Sequence, residues 1–170
     1  MRCGIALGSN IENRLANLRE GCKRASSLHG AGPPIQVSSI YETSPVDCEP
    51  GTTPYLNAVM EINFSEPPVA LLDQLLRIER EMGRPSKRPR SSPRTIDLDV
   101  LYVGNLVLNN PEIIIPHPRL SQRRFVLTPL AEIAPELILP GNSRCIRTLL
   151  ADLNGPGEVI RLHHPLSISE

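Results

Sequence analysis

Polar and apolar residues alternate from Arg2 to Leu7, with Cys3, Ile5 and Leu7 on one face, and this predicts a first strand. Gly8, Ser9 and Asn10 read as a turn. From about Asn13 the apolar positions Leu15, Leu18, Cys22 and Ala25 recur at helical spacing. Gly30, Gly32, Pro33 and Pro34 then break the chain ahead of a second strand, Ile35 to Tyr41. Thr43 to Pro54 is dense in turn residues and reads as a loop. Tyr55 to Phe64 alternates most cleanly. Leu56, Ala58, Met60, Ile62 and Phe64 face one way; Tyr55, Asn57, Val59, Glu61 and Asn63 face the other. Pro67 and Pro68 suit a helix start, Val69 to Met82 a second helix burying Leu72, Leu75, Leu76 and Ile78, and Gly83 its stop.

A Pro-punctuated loop follows, carrying Arg84, Lys87, Arg88, Arg90 and Arg94 and no acid. From Thr95 the sequence alternates again as a strand, and Gly104-Asn105 predicts a hairpin turn into Leu106 to Leu108. Beyond a proline-bracketed His117 the periodicity is helical, and Pro129 predicts two short helices rather than one. A helix around Ile146 to Leu153 and a short strand near Val159 to Leu162 complete the chain. The order β-α-β-β-α-β over the first hundred or so residues is the split βαβ, or ferredoxin-like, plan. The expectation is an α+β fold with an antiparallel sheet and helices on both faces, three layers in one domain over residues 1–170.

Composition narrows the function. The net charge is zero, so no global field draws the chain to nucleic acid or anionic lipid. Aromatics are 3% of residues and Trp is absent, which argues against a base-stacking surface. Cys3, Cys22, Cys48 and Cys145 show no CxxC spacing, against a zinc site or a disulfide scaffold. No charged leader with an apolar run and no membrane-length apolar segment is seen, so a cytoplasmic protein with reduced thiols is expected.

Against that background one strand is anomalous: Asp97 and Asp99 project from the same face, with Ile96, Leu98 and Val100 on the other. Like charges this close repel, and a divalent cation relieves them; Mg²⁺ suits two carboxylates because it accepts few protein ligands. The other reading is an aspartate pair bridged to nearby arginines on a solvent-facing strand. The cationic loop directly upstream is what a polyphosphate beside a metal would need. His117 is either structural or part of such a site. Arg123 and Arg124, near a helix start, are either phosphate contacts or surface charge. Asn57 is either a sheet-edge amide or a reader of a heterocycle's donors and acceptors.

Several stretches in order now resemble a family. "ALGSN", "YETSPV", "YLNAVMEI", "LLRIEREMGR", "RSSPRTIDLDVLY", "IPHPRL" and "RRFVLTPLAEIAPEL" together are similar to 6-hydroxymethyl-7,8-dihydropterin pyrophosphokinase, from Ile5 to about Pro140. The resemblance implies transfer of pyrophosphate from ATP to the pterin hydroxymethyl group with release of AMP, using two Mg²⁺ ions held by Asp97 and Asp99. It implies a catalytic Arg84, Arg94 on the triphosphate, and ATP contacts at His117 and Arg123. It places the pterin against Phe125 and Tyr55, with Asn57 on its edge and Thr43, Ser44 and Val46 in the backbone of the slot. Glu79 matches a family glutamate near the site. Ser91 stands where some members carry an aromatic, Ser92 where a small Gly or Ala is usual, and Arg124 where a small residue is common. The partners implied are the two small-molecule substrates, with no nucleic acid, no membrane and a monomeric chain.

Two rivals make different predictions. A ferredoxin-like module that binds nucleotide without turnover would release no AMP. A kinase moving one phosphoryl group would release ADP, and the chain has no G-x-x-x-x-G-K-[ST] loop.

Overall fold

The chain runs β1 (Arg2–Ser9), α1 (Arg14–Ser26), β2 (Ala31–Val37), β3 (Ile40–Thr43), β4 (Tyr55–Phe64), α2 (Pro68–Glu81), β5 (Asp97–Val103), β6 (Leu108–Asn109), β7 (Ile114–Ile115), α3 (Arg124–Ile133), α4 (Ile146–Asp152) and β8 (Val159–Leu162). This is a mixed α+β architecture with four α-helices among the described residues. The computed structural model describes residues 1–44, 53–84, 93–154, 158–164 and 166.

β4 is the centre of a six-stranded sheet ordered β5-β1-β4-β3-β8, with β2 also on β4. Every pairing in it is antiparallel. The alternation of β4 is what divides the molecule. Leu56, Ala58, Met60, Ile62 and Phe64 join Leu18, Cys22 and Ala25 of α1 and Leu71, Leu75 and Ile78 of α2 in one core. Val59 joins Leu101 and Tyr102 of β5, Val126, Leu127 and Leu130 of α3, and Ile146 and Leu149 of α4 in a second core on the opposite face. Burying both faces of one sheet accounts for the apolar pattern on alternate positions of the same strands.

The structure departs from the sequence expectations at five places. β1 continues through Gly8 and Ser9 instead of turning, because both remain paired, Gly8 to Asn57 and Asp97 and Ser9 to Leu56. The second strand is two: β2 takes in Gly32 and the prolines, with its register on β4 broken between Gly32 and Gln36, and β3 starts at Ile40. Ser38 makes the break, since its side-chain oxygen accepts the Val59 N–H (3.0 Å) in place of a backbone carbonyl. α2 is rotated from the expected stripe, burying Leu71, Leu75, Ile78 and Glu79 and leaving Leu76 exposed. Gly104 does turn the chain, but its N–H goes to the Arg2 carbonyl (2.7 Å), and β6 pairs with β7 rather than β5. Pro129 sits inside one helix, α3, whose buried Val126, Leu127, Pro129 and Leu130 hold it against the sheet despite the missing ladder bond.

Cys3, Cys22 and Cys145 are free; Cys48 lies outside the described residues. Burial pushes the Cys3 thiol up to about 11 and the Cys22 thiol to about 12. The Thr148 hydroxyl and amide lower the thiol of Cys145. Since the thiolate is the nucleophile, brief alkylation at neutral pH will modify Cys145 well ahead of Cys3 and Cys22, as peptide mapping will show. Equal modification of Cys22 would contradict this packing. Among the described residues no helix is long and apolar enough to cross a membrane.

Candidate active site

Strand register assembles the site. Gly8 of β1 lies between Asn57 of β4 and Asp97 of β5, and Ala6 lies between Val59 and Asp99. Alternation therefore puts Asn57, Asp97 and Asp99 on one face of three adjacent strands, the face that α3 covers. Ala6, Gly8, Asn57, Asp97, Asp99, Phe125 and Val126 line a small cleft there. A Cβ on Gly8 would stand 3.2 Å from Asn57 Oδ1 and 3.9 Å from Asp97 Cβ. The bare glycine keeps the floor between amide and carboxylate clear, and the tight 3.2 Å approach shows that Asn57 Oδ1 is turned toward it. Asn57 is buried, and its Nδ2 donates to Thr43 Oγ1 (2.7 Å), which orients the amide.

Around this floor is a charged cluster. Asp97 accepts from Arg84 at Oδ1 (2.8 Å) and from Arg94 at Oδ2 (2.7 Å). Arg84 also pairs with Glu79, whose Oε1 accepts the buried Leu98 N–H (2.7 Å). Arg123 reaches Asp99 Oδ2 at 3.6 Å, and its guanidinium lies 5.5 Å from the centre of the Phe125 ring. Burial pushes the Asp99 carboxyl up, and the charge of Asp97 adds to it; His117, Arg123 and Arg94 oppose. Burial lowers His117, reinforced by Arg123 and Arg119 and opposed by Asp99. Glu79 is pushed up to about 7, by burial first and also by Asp97, against the Leu98 N–H and Arg84. Thus the aspartate pair is bridged to arginines and still open to the cleft: Asp97 is matched by two close arginines, while Asp99, 41% exposed at the side chain, has the longer pair with Arg123.

Of the residues singled out in the sequence, Asn57, Asp97, Asp99 and Phe125 line the cleft. Arg84, Arg94 and Arg123 meet its carboxylates, and His117 is close enough to Asp99 for the two charges to interact. The His117 ring is fixed by its own turn, Nδ1 accepting the Arg119 N–H (3.2 Å). Thr43 supports Asn57 from β3, and Tyr55 lies opposite Thr43 in register, outside the lining of the cleft. Ser44 is exposed just past β3. Val46, Ser91, Ser92, Lys87, Arg88 and Arg90 lie outside the described residues. Arg124 is turned away, donating to the Leu153 carbonyl.

Three neighbours were not singled out as site residues by sequence reading or were ranked low. Gly8 was read as a turn. Glu79 is 2% exposed, not a surface residue of α2. Asn10 is buried; its Oδ1 accepts the Arg94 N–H (2.8 Å) and its own N–H donates to the Arg94 carbonyl (3.2 Å). This two-bond clasp fixes the backbone of Arg94, and Asn10 Nδ2 has no hydrogen-bond partner among the described residues. The resemblance touches all three, through the stretch Ala6 to Asn10 and the matched Glu79, but hydrophobic periodicity does not, because their importance comes from pairing across the sheet and from the phase of α2.

Among the described residues no group of three or more His, Cys, Asp or Glu side chains could enclose a metal ion. Two carboxylates facing an open cleft fit Mg²⁺, which keeps much of its water and shares its coordination with a substrate's phosphates. They do not fit a closed zinc site.

Residues 4–135 match the profile of the family described as 7,8-dihydro-6-hydroxymethylpterin-pyrophosphokinase (HPPK). The chain is 42% identical over 147 residues to the 2-amino-4-hydroxy-6-hydroxymethyldihydropteridine pyrophosphokinase of Haemophilus influenzae, covering 86% of this chain and 89% of that one. It is 43% identical over 133 residues to the protein of the same name from Bacillus subtilis, covering 78% of each. Among solved structures, wild-type HPPK-DHPS of Plasmodium falciparum superposes with a TM-score of 0.67 at 16% identity, over 88% of this chain and 40% of that one. That likeness is one of fold, and this chain spans about two fifths of the larger protein's length. The chain belongs to the HPPK family, and it is an enzyme, a pyrophosphokinase of folate biosynthesis.

Proposed function

We propose that the chain transfers the β,γ-pyrophosphoryl group of ATP to the hydroxymethyl oxygen of 6-hydroxymethyl-7,8-dihydropterin and releases AMP. The observation that carries this reading is the row Asn57–Gly8–Asp97 across three strands, an amide and a metal-type carboxylate on one clear floor. Asn57 Nδ2 is spent on Thr43, so Oδ1 is left to accept from the amino and ring N–H donors on the pterin's pyrimidine edge. Phe125 offers a ring face to the heterocycle and Tyr55 a second one near the mouth. Ser44 and Val46 belong to the same slot in this reading.

Asp97 and Asp99 would hold Mg²⁺, two ions by the family resemblance. When bound, these ions neutralise charge on the phosphates. The chain's own residues do the rest. Arg84 and Arg94, which pair with Asp97 beside the cleft, would present their guanidinium groups to phosphate oxygens bound there. Arg123 and His117 are placed to meet the nucleotide on the Asp99 side. The new bond joins the hydroxymethyl oxygen, which gives up its proton, to the β-phosphorus. The bond broken is that from the β-phosphorus to the α–β bridging oxygen. Positioning and charge stabilisation supply most of the rate in such a reaction.

The sheet order β5-β1-β4-β3 supports naming the fold ferredoxin-like, with β2 and β3 together as one interrupted strand. A single three-layer domain over 1–170, acting as a cytoplasmic monomer on two small molecules, is part of the same proposal. The test is to incubate the protein with Mg-ATP, with and without the pterin, and separate the nucleotides. AMP that forms only with the pterin is expected. Bound ATP that is never cleaved would instead identify a nucleotide-binding module.

A further inference from the structure

Arg14 is the first residue of α1, where the unpaired N–H groups of the helix disfavour a cation, and no acidic residue occupies that first turn. The unfavourable placement is offset elsewhere. Its Nη1 donates to the Pro54 carbonyl (2.6 Å) and pairs with the Glu42 carboxylate (2.9 Å). Glu42 lies on β3, next to Thr43, and Pro54 directly precedes Tyr55 of β4. One guanidinium nitrogen therefore holds both strands at the end where Thr43 and Tyr55 face each other and where Thr43 orients Asn57.

The anchor itself is rigid. Asn13 caps α1, its Oδ1 accepting the Ala16 N–H (3.1 Å), and Asn17 Nδ2 donates to the Ile11 carbonyl (3.1 Å). Leu18, Cys22 and Ala25 seat the helix in the core. Among the described residues, the partners of Arg14 are Pro54 and Glu42, at the β3–β4 end of the sheet and not at the aspartates of β5.

We propose that Arg14 is a positioning residue for the heterocyclic substrate: it sets the spacing of the β3–β4 end and so the pose of Asn57 and Tyr55. This rests on the assignment of that side of the cleft to the pterin. Glu42 and Arg14 are partly exposed, so the effect is on affinity rather than on the fold.

The test measures steady-state constants and melting temperature for the wild type, Arg14→Ala, Arg14→Lys and Glu42→Gln. Arg14→Ala is expected to raise KM for the pterin about tenfold, with kcat and KM for Mg-ATP within about twofold. Arg14→Lys restores most of the loss, because a single ammonium can reach both oxygens, and Glu42→Gln shows a smaller rise in the same constant. A folded Arg14→Ala with unchanged pterin KM overturns the proposal. So does an equal rise in both KM values, which would mark a merely structural role. If Arg14→Ala does not fold, Glu42→Gln decides: an unchanged pterin KM overturns it. A wild-type protein that makes no AMP with the pterin defeats the assignment of the substrate, and is distinguished from failure of this inference by that control alone.

Discussion

Asp97→Ala will lower kcat/KM by at least about 10³-fold while leaving the protein folded. Asp97 is the point where the charges of the site converge, with Arg84 on one oxygen and Arg94 on the other. Without it, one of two carboxylates for the cation is gone, and the two arginines lose the group that holds them over the cleft. The fold survives because neither arginine becomes a buried orphan: Arg84 is 33% and Arg94 19% exposed at the side chain, so water can take over. Asp99 also loses one of the charges that push its carboxyl up, and its pKa will fall toward the ordinary carboxylate range. The checks are an AMP-release assay, a melting curve and carboxyl titration by NMR. Activity within about tenfold of wild type would contradict the role assigned to this pair.

Glu79→Ala will act through stability as well as rate. The side chain joins α2 to β5 by accepting the Leu98 N–H, a bond buried between the helix and the strand. Truncation leaves that N–H without an acceptor and costs about 1–3 kcal/mol, before any loss from the freed Arg84. Glu79→Gln keeps the acceptor and separates the two effects. The pH dependence has a definite sign. A carboxyl raised from its ordinary value to about 7 favours the folded state most when protonated. That contribution is complete below about pH 4.5 and is lost as pH rises through about 7. In the metal-free enzyme, Glu79→Gln should remove this decline from the pH profile of urea-unfolding stability. An identical profile in wild type and Glu79→Gln would mean that the carboxylate is not desolvated as the structure has it.

The parts of the fold legible in the sequence were those governed by one local rule. β4 and β8 were read with their observed ends, and the start of α1 was marked by Asn13, which is indeed its cap. The misreadings came where tertiary partners outweighed local preference. Gly8 and Ser9 look like a turn, but two flanking strands keep them extended. Pro129 should end a helix, yet the second core retains it. Leu76 and Leu71 are equivalent by composition, and the phase that packs Leu71, Leu75 and Ile78 into the core is also the one that carries Glu79 to the Leu98 N–H. The same divide holds in the site. Asp97 and Asp99 were legible because both lie on one short strand, whereas the Gly8 floor and the Asn10 clasp depend on register between segments far apart in the chain.

The most direct test of the central claim is the identity of the transferred group. The ³¹P NMR spectrum of a completed reaction of the wild-type protein with Mg-ATP and 6-hydroxymethyl-7,8-dihydropterin reads it without assumptions about kinetics. The account predicts AMP and an ester carrying two coupled phosphorus signals on the pterin, in equal amounts. ADP with a single uncoupled ester phosphorus would contradict it, and would make this cleft the site of an ordinary phosphoryl transfer.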